Sequence, residues 1–247
     1  HNCYFYGHTA YVLAAYNPDL KCDLPIYLRM VQANRHDSVS SIVALSEFRS
    51  LYPDFTIDAF CGDCAHDAVG IYGLLEHWEI KAVIPLKSNS KADHKKGADF
   101  TISKEGVPIC LAGLPMVNWG FNPERRRVKY RCPMACGKID HCDHEAACQS
   151  VSDYGRTIYV TQNQDLRFAT RIRRGSDQWK TILRSRTASE RFNKRLLNDY
   201  GLEKHKARGN KRISWWCLVH STNILLDAAR KLNRPSFISI LSEACAA

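Results

Sequence analysis

Asp63 and Glu190 are the two acidic residues whose sequence surroundings best suit a carboxylate that binds a metal ion. Asp63 follows the apolar stretch Phe55–Phe60, which is typical of a buried strand, and precedes a predicted amphipathic helix. In open α/β sheets, ligands and catalytic groups collect at the carboxyl ends of strands. A carboxylate at such an end can hold a divalent cation without burying an unpaired charge. The competing interpretation is a helix cap, a role open to Asp63 or to Asp67.

Glu190 lies in the middle of a helix predicted from about Asp177 to Asp199. Helical spacing predicts that five residues share one face of this helix: Leu183, Arg186, Glu190, Lys194 and Leu197. A glutamate with basic residues four positions before and after it can also be one member of an ion-pair ladder. The sequence leaves both interpretations of Glu190 open.

Positive charge is concentrated around this helix. The chain has a net charge of +10, and the segment from Arg167 to Arg212 holds 15 Lys and Arg against four acidic residues. The remainder of the chain therefore sums to about −1. A basic block of this density is typical of a protein with a polyanionic partner, although solvated surface helices also carry charge runs. One acid among many bases suits a metal ligand beside a phosphate backbone.

The chain contains 11 cysteines, four of which cluster between two predicted elements. The first residues have neither the basic start nor the apolar run of a signal peptide, which favours a reducing compartment. The clustered residues are Cys132, Cys136, Cys142 and Cys148, with His141 and His144 among them. Zinc takes four Cys or His ligands, so a structural zinc and free loop thiols are the two alternatives.

The elements that must position these residues follow an α/β order. The predicted strands are Tyr4–Tyr16, Leu24–Val31, Phe55–Phe60, Ala82–Leu86 and Thr157–Thr161. The turn signal Asn17-Pro18-Asp19 makes the first two a hairpin. The predicted helices cover Val39 to Tyr52, Ala68 to Trp78, Asp177 to Asp199, a face with Trp215, Leu218, Leu225, Leu226, Ala229 and Leu232, and the tail Ser236–Ala244.

Between these elements the sequence loses its periodicity. Lys87–Lys104 is polar and predicts an exposed loop, and Val107–Ser152 predicts an inserted, cysteine-rich module. Glu203–Arg212 predicts a basic linker. No stretch approaches the roughly 18–20 apolar residues of a membrane span.

Several segments, in order, resemble the DDE class of bacterial insertion-sequence transposases. FTIDAFCGDCAHDAVGIYGLLEHWEIKAVIPLK (55–87) resembles the region of their second aspartate, with Asp63 and Asp67 at its Asp-x3-Asp spacing. RGSDQWKTILRSRTASERFNKRL (174–196) resembles their signature helix, Tyr-x2-Arg-x3-Glu-x6-Lys, through Arg186 and Glu190. LPIYLRMVQANRHDS (24–38) and residues 109–133 also match in order.

The resemblance implies a ribonuclease-H-like mixed sheet flanked by helices, with a Cys-rich insertion before the helix that carries Glu190. The core would be residues 1–87 and 156–247, without the first strand, and the insertion residues 88–155. Asp63 and Glu190 would be the second and third catalytic carboxylates, holding two Mg²⁺ or Mn²⁺ ions that promote DNA end cleavage and strand transfer. A homo-oligomer on DNA, in the bacterial cytoplasm beside the nucleoid, is the expected setting.

Basic residues of the block would contact DNA phosphates. They are Arg186, Arg191, Lys194, Arg195, Lys204, Lys206, Arg208, Lys211 and Arg212.

The chain also departs from the family pattern. Leu183 and Leu197 stand at the motif's Tyr and Lys, and no residue corresponds to the first catalytic aspartate. His1 is not an initiator Met, so we expect the chain to lack its beginning and to be a weak catalyst as it stands. The alternative function is an inactive DNA-binding remnant with a structural zinc. A third is a thiol redox protein, because Cys61 and Cys64 form a C-x2-C pair.

Overall fold

The structure, a computed structural model, describes residues 7–17, 21–87, 100–103, 105–144, 148, 153–163, 165–204 and 206–232. In this part of the chain the structure contains both helices and strands, with the strands in four small sheets, which confirms a mixed α and β protein but not one mixed sheet. The α-helices are α1 (Asp37–Leu51), α2 (Val69–His77), α3 (Asp177–Arg184), α4 (Thr187–Lys194) and α5 (Asn210–Leu232). The strands are β1 (His8–Asn17), β2 (Cys22–Gln32), β3 (Ala59–Cys61), β4 (Lys81–Val83), β5 (Thr101–Ile102), β6 (Pro108–Ile109), β7 (Val117–Asn122), β8 (Arg127–Arg131) and β9 (Thr157–Thr161). The ribonuclease-H-like arrangement stays a prediction.

The chain divides into two compact units. The first comprises residues 1–55 and 185–247, and the second residues 56–184. The predicted module at 88–155 lies within the second unit, and its first twelve residues are outside the described part of the chain.

The first unit is built on the predicted hairpin. Strands β1 and β2 pair antiparallel from His8 opposite Gln32 to Asn17 opposite Cys22, with a register shift at Leu13. Residues of α4 and α5 pack on one face of this hairpin and bury a shared core. Its buried members are Phe192, Leu196, Leu202, Cys217 and Ile224, packed against Ala10, Val12, Leu28 and Met30. The beginning of the predicted strand, at Tyr4, lies outside the described residues.

Helix α1 begins as its sequence predicts. His36 is the N-cap, and its ring accepts a hydrogen bond from the Ser38 backbone N–H at 3.3 Å. The predicted apolar face is only partly right, since Val39 and Tyr52 are exposed while Leu45 and Phe48 are buried. Small residues fill the rest of the buried face: Ser40, Ser41 and Ala44.

The second unit contains a parallel pair, β3 and β4, connected by α2. Both strands are shorter than predicted, because residues 55–58 and 84–86 adopt no regular structure. Helix α2 is confirmed and buries Ile71, Tyr72 and Leu75.

The prediction of an irregular segment at Val107–Ser152 is wrong in part. Strands β7 and β8 form there and pair antiparallel with each other, and β8 pairs with the predicted strand β9. Their inward residues form a second core: Met116, Val128, Tyr130, Ile158, Val160, Phe168 and Ala169.

The predicted single helix from Asp177 to Asp199 is also wrong. Helix α3 ends at Arg184, α4 begins at Thr187, and a π-helical turn covers Arg195–Asp199. The break has a packing cause, because Trp179 of α3 joins a core in the second unit whereas Phe192 of α4 joins the hairpin core of the first. Leu183 and Glu190 therefore do not share one continuous helix face.

Helix α5 is confirmed, but the face it buries is not the predicted one. Trp215, Leu218, Leu225 and Leu226 are exposed, together with Ala229. The buried residues are Cys217, Ser221, Ile224 and Ala228, at spacings of four, three and four. Three of them are small, and the helix packs against β2, where the Cys217 Sγ is 3.6 Å from the Met30 Sδ. The basic linker before α5 contains a short 3₁₀-helix, Leu202–Lys204.

The predicted tail helix Ser236–Ala244 lies outside the described residues. Among the helices that the structure does describe, none combines the length and the apolar character that a bilayer crossing needs.

Candidate functional site

Asp63 lies two residues after β3 and occupies the N-cap of a 3₁₀-helix, Cys64–His66. Its Oδ1 accepts a hydrogen bond from the Ala65 backbone N–H at 2.9 Å, and the His66 Nδ1 donates to the same oxygen at 2.7 Å. The Asp63 side chain is nevertheless 48% exposed, whereas that of His66 is nearly buried. Asp63 thus makes the capping contact of the simpler interpretation and still presents its carboxylate to water.

Gly62 is required at the approach to this site. A Cβ on residue 62 would lie 2.9 Å from the His66 Cγ, closer than real side chains pack. The histidine ring therefore occupies the space that a side chain at position 62 would need. This contact keeps His66 against the end of β3, where it can donate to Asp63.

Asp67, the second acid of the Asp-x3-Asp pair, is buried and hydrogen-bonded within the protein. Asp67 is 4% exposed, and its Oδ2 accepts from the Lys87 backbone N–H at 2.9 Å. Asp67 also hydrogen-bonds the Tyr72 hydroxyl, to which the Arg174 Nη2 lies 3.2 Å away. Burial raises the pKa of Tyr72 to about 12, and the nearby Arg174 opposes that rise. The phenol therefore stays neutral and connects the acid to the guanidinium.

Glu190 is in the first turn of α4, and its Oε1 accepts from the Arg186 Nη1 at 2.9 Å. Both side chains are substantially exposed, 59% for Glu190 and 38% for Arg186. The ion pair of the simpler interpretation is therefore present. An exposed pair of this kind contributes little to stability, so the carboxylate can exchange its partner for a cation at small cost.

A cavity of about 670 Å³ lies in the first unit, and we call it the basic cavity. Its basic residues are Lys21, Arg191, Lys194, Arg195, Arg230 and Lys231, and its acidic residues are Asp23, Asp199 and Asp227. It therefore gathers residues from the hairpin turn, from α4 with the π-helical turn after it, and from the end of α5. The lining carries a net positive charge.

Two of the cavity arginines are held by carboxylates. The Arg191 Nε and Nη2 donate to the two oxygens of Asp23 at 2.8 and 2.7 Å, which raises the pKa of Arg191. The Arg195 Nη2 donates to Asp227 at 2.8 Å. Among the described residues, no carboxylate pairs with Lys21, Lys194, Arg230 or Lys231. These four cations are available to an anionic ligand.

The structure brings three of the nine expected DNA contacts to this cavity, namely Arg191, Lys194 and Arg195. Arg186 pairs with Glu190 instead, and the remaining five residues are exposed outside the cavity. They are Lys204, Lys206, Arg208, Lys211 and Arg212.

Sequence reasoning missed Lys21, Arg230 and Lys231. Each is a basic residue at a turn or a helix end, and no local pattern shows that those ends meet α4.

The predicted zinc ligands are only partly gathered. Cys132, Cys142 and Cys148 line one small cavity in the second unit, which Cys110 and His144 also line, whereas Cys136 does not. All five described cysteines in this region are free thiols. Within the described ranges, no three His, Cys, Asp or Glu side chains are close enough together to hold a metal ion. Zinc therefore stays a prediction.

Cys61 and Cys64, the C-x2-C pair, are also free thiols and differ in environment. Cys61 packs beside the core of Val83, Ile172 and Trp179, whereas Cys64 is exposed at the start of the 3₁₀-helix.

The chain was compared with known protein families, with curated proteins and with solved structures, and it matches none of them.

Proposed function

We propose that this chain is a core of a DDE-class DNA transposase and that the basic cavity binds the phosphate backbone of DNA. The observation that carries the proposal is the meeting of Lys194, Arg230, Lys231 and Lys21 in one concave surface with no carboxylate partners among the described residues. Six basic residues against three acidic ones give the cleft a net positive charge, which raises the local concentration of an anionic ligand. DNA offers regularly spaced phosphates and releases counterions when such cations bind it.

Each of the two acids, taken by itself, has the chemistry of a Mg²⁺ ligand. Mg²⁺ takes oxygen ligands and keeps several waters, so it needs few protein groups, each open to solvent. Asp63 and Glu190 are both carboxylates, and each is about half exposed. Two bound Mg²⁺ or Mn²⁺ ions would activate the attacking oxygen and stabilise the leaving one at phosphorus. Asp63 belongs to the second unit and Glu190 to the first, and under this proposal each would supply oxygen ligands, with His66 orienting the carboxylate of Asp63.

The finer statements belong to the same proposal. They are a ribonuclease-H-like core, cleavage at the element end followed by strand transfer, a homo-oligomer on DNA, and a location beside the bacterial nucleoid. What supports them is the order of four resembling segments along the chain, together with the α/β alternation of β3, α2 and β4 around Asp63.

Replacing Arg230 by Gln should weaken duplex DNA binding and reduce the slope of log affinity against log salt by about one. One phosphate contact is then lost, and one fewer counterion is released. The measurement is fluorescence anisotropy with a labelled duplex at several salt concentrations. Arg35→Gln is the matched control, because Arg35 is exposed in the first unit outside the cavity. Equal slopes for the two variants would remove the support that the cavity gives to this function.

The second candidate is an inactive, DNA-binding remnant stabilised by zinc, and the cavity lined by Cys132, Cys142, Cys148, Cys110 and His144 favours it. The backbone at Gly155 packs closely against the cysteine-rich loop, since a Cβ there would lie 2.5 Å from the Ala135 Cβ. The four cysteines of this cavity offer sulfur ligands suited to zinc, and His144 adds a ring nitrogen.

Under this second candidate, elemental analysis of protein purified without added chelator should find about one zinc per chain, the expected content of a single structural site. Cys142→Ser should lose most of it and lower the unfolding temperature. Cys136→Ser should keep the metal, because Cys136 does not line the cavity. Wild-type protein without zinc, or equal zinc in Cys142→Ser, would exclude the site.

A further inference from the structure

The sheet of β7, β8 and β9 has one face in the core and one face toward solvent. Side chains alternate along a strand, so Val128 and Tyr130 of β8 enter the core, while Arg127, Lys129 and Arg131 lie on the opposite face. Three cations thus lie in a row along one central strand. On β9, Tyr159 lies opposite Lys129 in the antiparallel register.

Aromatic rings lie between these cations. The Arg127 guanidinium is 3.9 Å from the Tyr159 ring centre, and the Lys129 Nζ is 4.5 Å from that of Tyr154. The Arg131 guanidinium is 4.2 Å from the Trp119 ring and 3.4 Å from the Tyr154 ring. We call this set of six residues the aromatic–cationic face.

Trp119 reaches this face because of a β-bulge. The register of β7 against β8 shifts between Asn118 and Gly120, and Gly120 has a φ of +124° that favours glycine. A bulge re-aims the side chain that it contains. Arg131, which is 7% exposed, lies against the Trp119 and Tyr154 rings and donates to the Tyr154 carbonyl at 2.7 Å. Arg131 therefore positions the two rings and is not itself open to a ligand.

The Trp119 and Tyr154 rings remain accessible to solvent although Arg131 packs against both. Trp119 is 52% exposed and Tyr154 is 40% exposed. Strands β7, β8 and β9 contain no Asp or Glu. The turn from β7 to β8 has two exposed basic residues, Arg125 and Arg126, and one acidic residue, Glu124. A surface that only stabilised the sheet would need neither this one-sided charge nor a half-exposed tryptophan.

We propose that the aromatic–cationic face binds unpaired nucleotides of single-stranded DNA, with a base stacked on Trp119 and phosphates beside Lys129 and Arg127. Basic grooves with interleaved aromatic rings are the general solution for single strands, because every base has a flat face. In a duplex those faces are covered by neighbouring base pairs, so exposed rings gain nothing from it. The inference rests on the proposed function in one respect, since it takes DNA as the partner.

The test uses the full chain and two labelled probes, a 12-nucleotide oligo(dT) and a 12-base-pair duplex. Trp119→Ala should weaken oligo(dT) binding roughly 5- to 140-fold, the range for loss of one stacked base. It should leave duplex binding unchanged, and Trp119→Phe should restore most of the single-strand affinity. Phe55→Ala removes another exposed ring, in the first unit, and should change neither affinity. Circular dichroism verifies that each variant is folded.

The outcomes separate this inference from the proposed function. If Trp119→Ala binds oligo(dT) as the wild type does, or if poly-glutamate competes as well as oligo(dT), the inference is wrong. If Arg230→Gln leaves duplex binding unchanged while Trp119→Ala weakens oligo(dT) binding, the basic cavity loses its role and the aromatic–cationic face keeps its own. If Arg230→Gln alone has an effect, the proposed function stands without the inference.

Discussion

Under the proposed function, Glu190→Ala should lower Mg²⁺-dependent strand transfer by about 100-fold or more. A ligand of a catalytic metal is worth several kcal/mol in the transition state, and each 1.36 kcal/mol changes the rate tenfold. The measurement is joining of a labelled element end to a target duplex in Mg²⁺ and in Mn²⁺. Glu190→Gln should show nearly the same loss, because an amide keeps the size of the side chain and removes its charge.

Glu203→Ala is the control for Glu190, since Glu203 is another exposed glutamate of the first unit. It should transfer strands at the wild-type rate. Duplex binding by Glu190→Gln should be retained, which separates a lost metal ligand from a lost DNA surface. A Glu190→Ala protein with unchanged strand transfer would show that Glu190 only pairs with Arg186 and would refute the assignment.

Phe192→Ala should destabilise the first unit by about 3–5 kcal/mol, the usual cost of truncating a buried aromatic ring. Phe192 is 1% exposed and lies two residues from Glu190, where it packs α4 against the hairpin and α5. The measurement is urea unfolding followed by far-ultraviolet circular dichroism, with the midpoint and slope compared to wild type. Leu197→Ala is the control, because Leu197 is 38% exposed and should cost about 1 kcal/mol or less. Similar midpoints for Phe192→Ala and wild type would contradict the described core.

The elements that the sequence predicted well are those whose hydrophobic pattern depends on near neighbours. The hairpin follows from two apolar runs about a turn, β9 from the run Thr157–Thr161, and α2 from apolar residues at helical spacing. Asp63 was also placed correctly at the end of a strand. Its cap to Ala65 is a local contact, which is why sequence spacing could anticipate it.

Features that depend on distant partners were not predictable. One continuous helical pattern runs from Asp177 to Asp199, and only the existence of two separate cores forces the break at Ser185 and Arg186. Likewise α5 has a large apolar stripe that includes Trp215, but the stripe that it buries against β2 is a different one, in which Cys217, Ser221 and Ala228 are small and Ile224 is large.

The candidate surfaces show the same division. Arg191, Lys194 and Arg195 are close in sequence and were expected to act together, whereas Lys21 and Arg230 join them only through the fold. On β8 a usable signal was present. Arg-Val-Lys-Tyr-Arg alternates basic and apolar residues, which is typical of a strand with one charged face.

The discontinuity of the first unit has a consequence for synthesis of the chain. Its hairpin is made first, but the helices that cover its apolar face, α4 and α5, emerge from the ribosome only after the second unit, residues 56–184. Closing so long a loop delays the contacts that bury Val12 and Leu28. The second unit is contiguous in sequence and can fold during translation. One apolar side of the nascent hairpin, in contrast, stays exposed until α4 and α5 have been synthesised. Of the two units, the second therefore completes its fold first during translation.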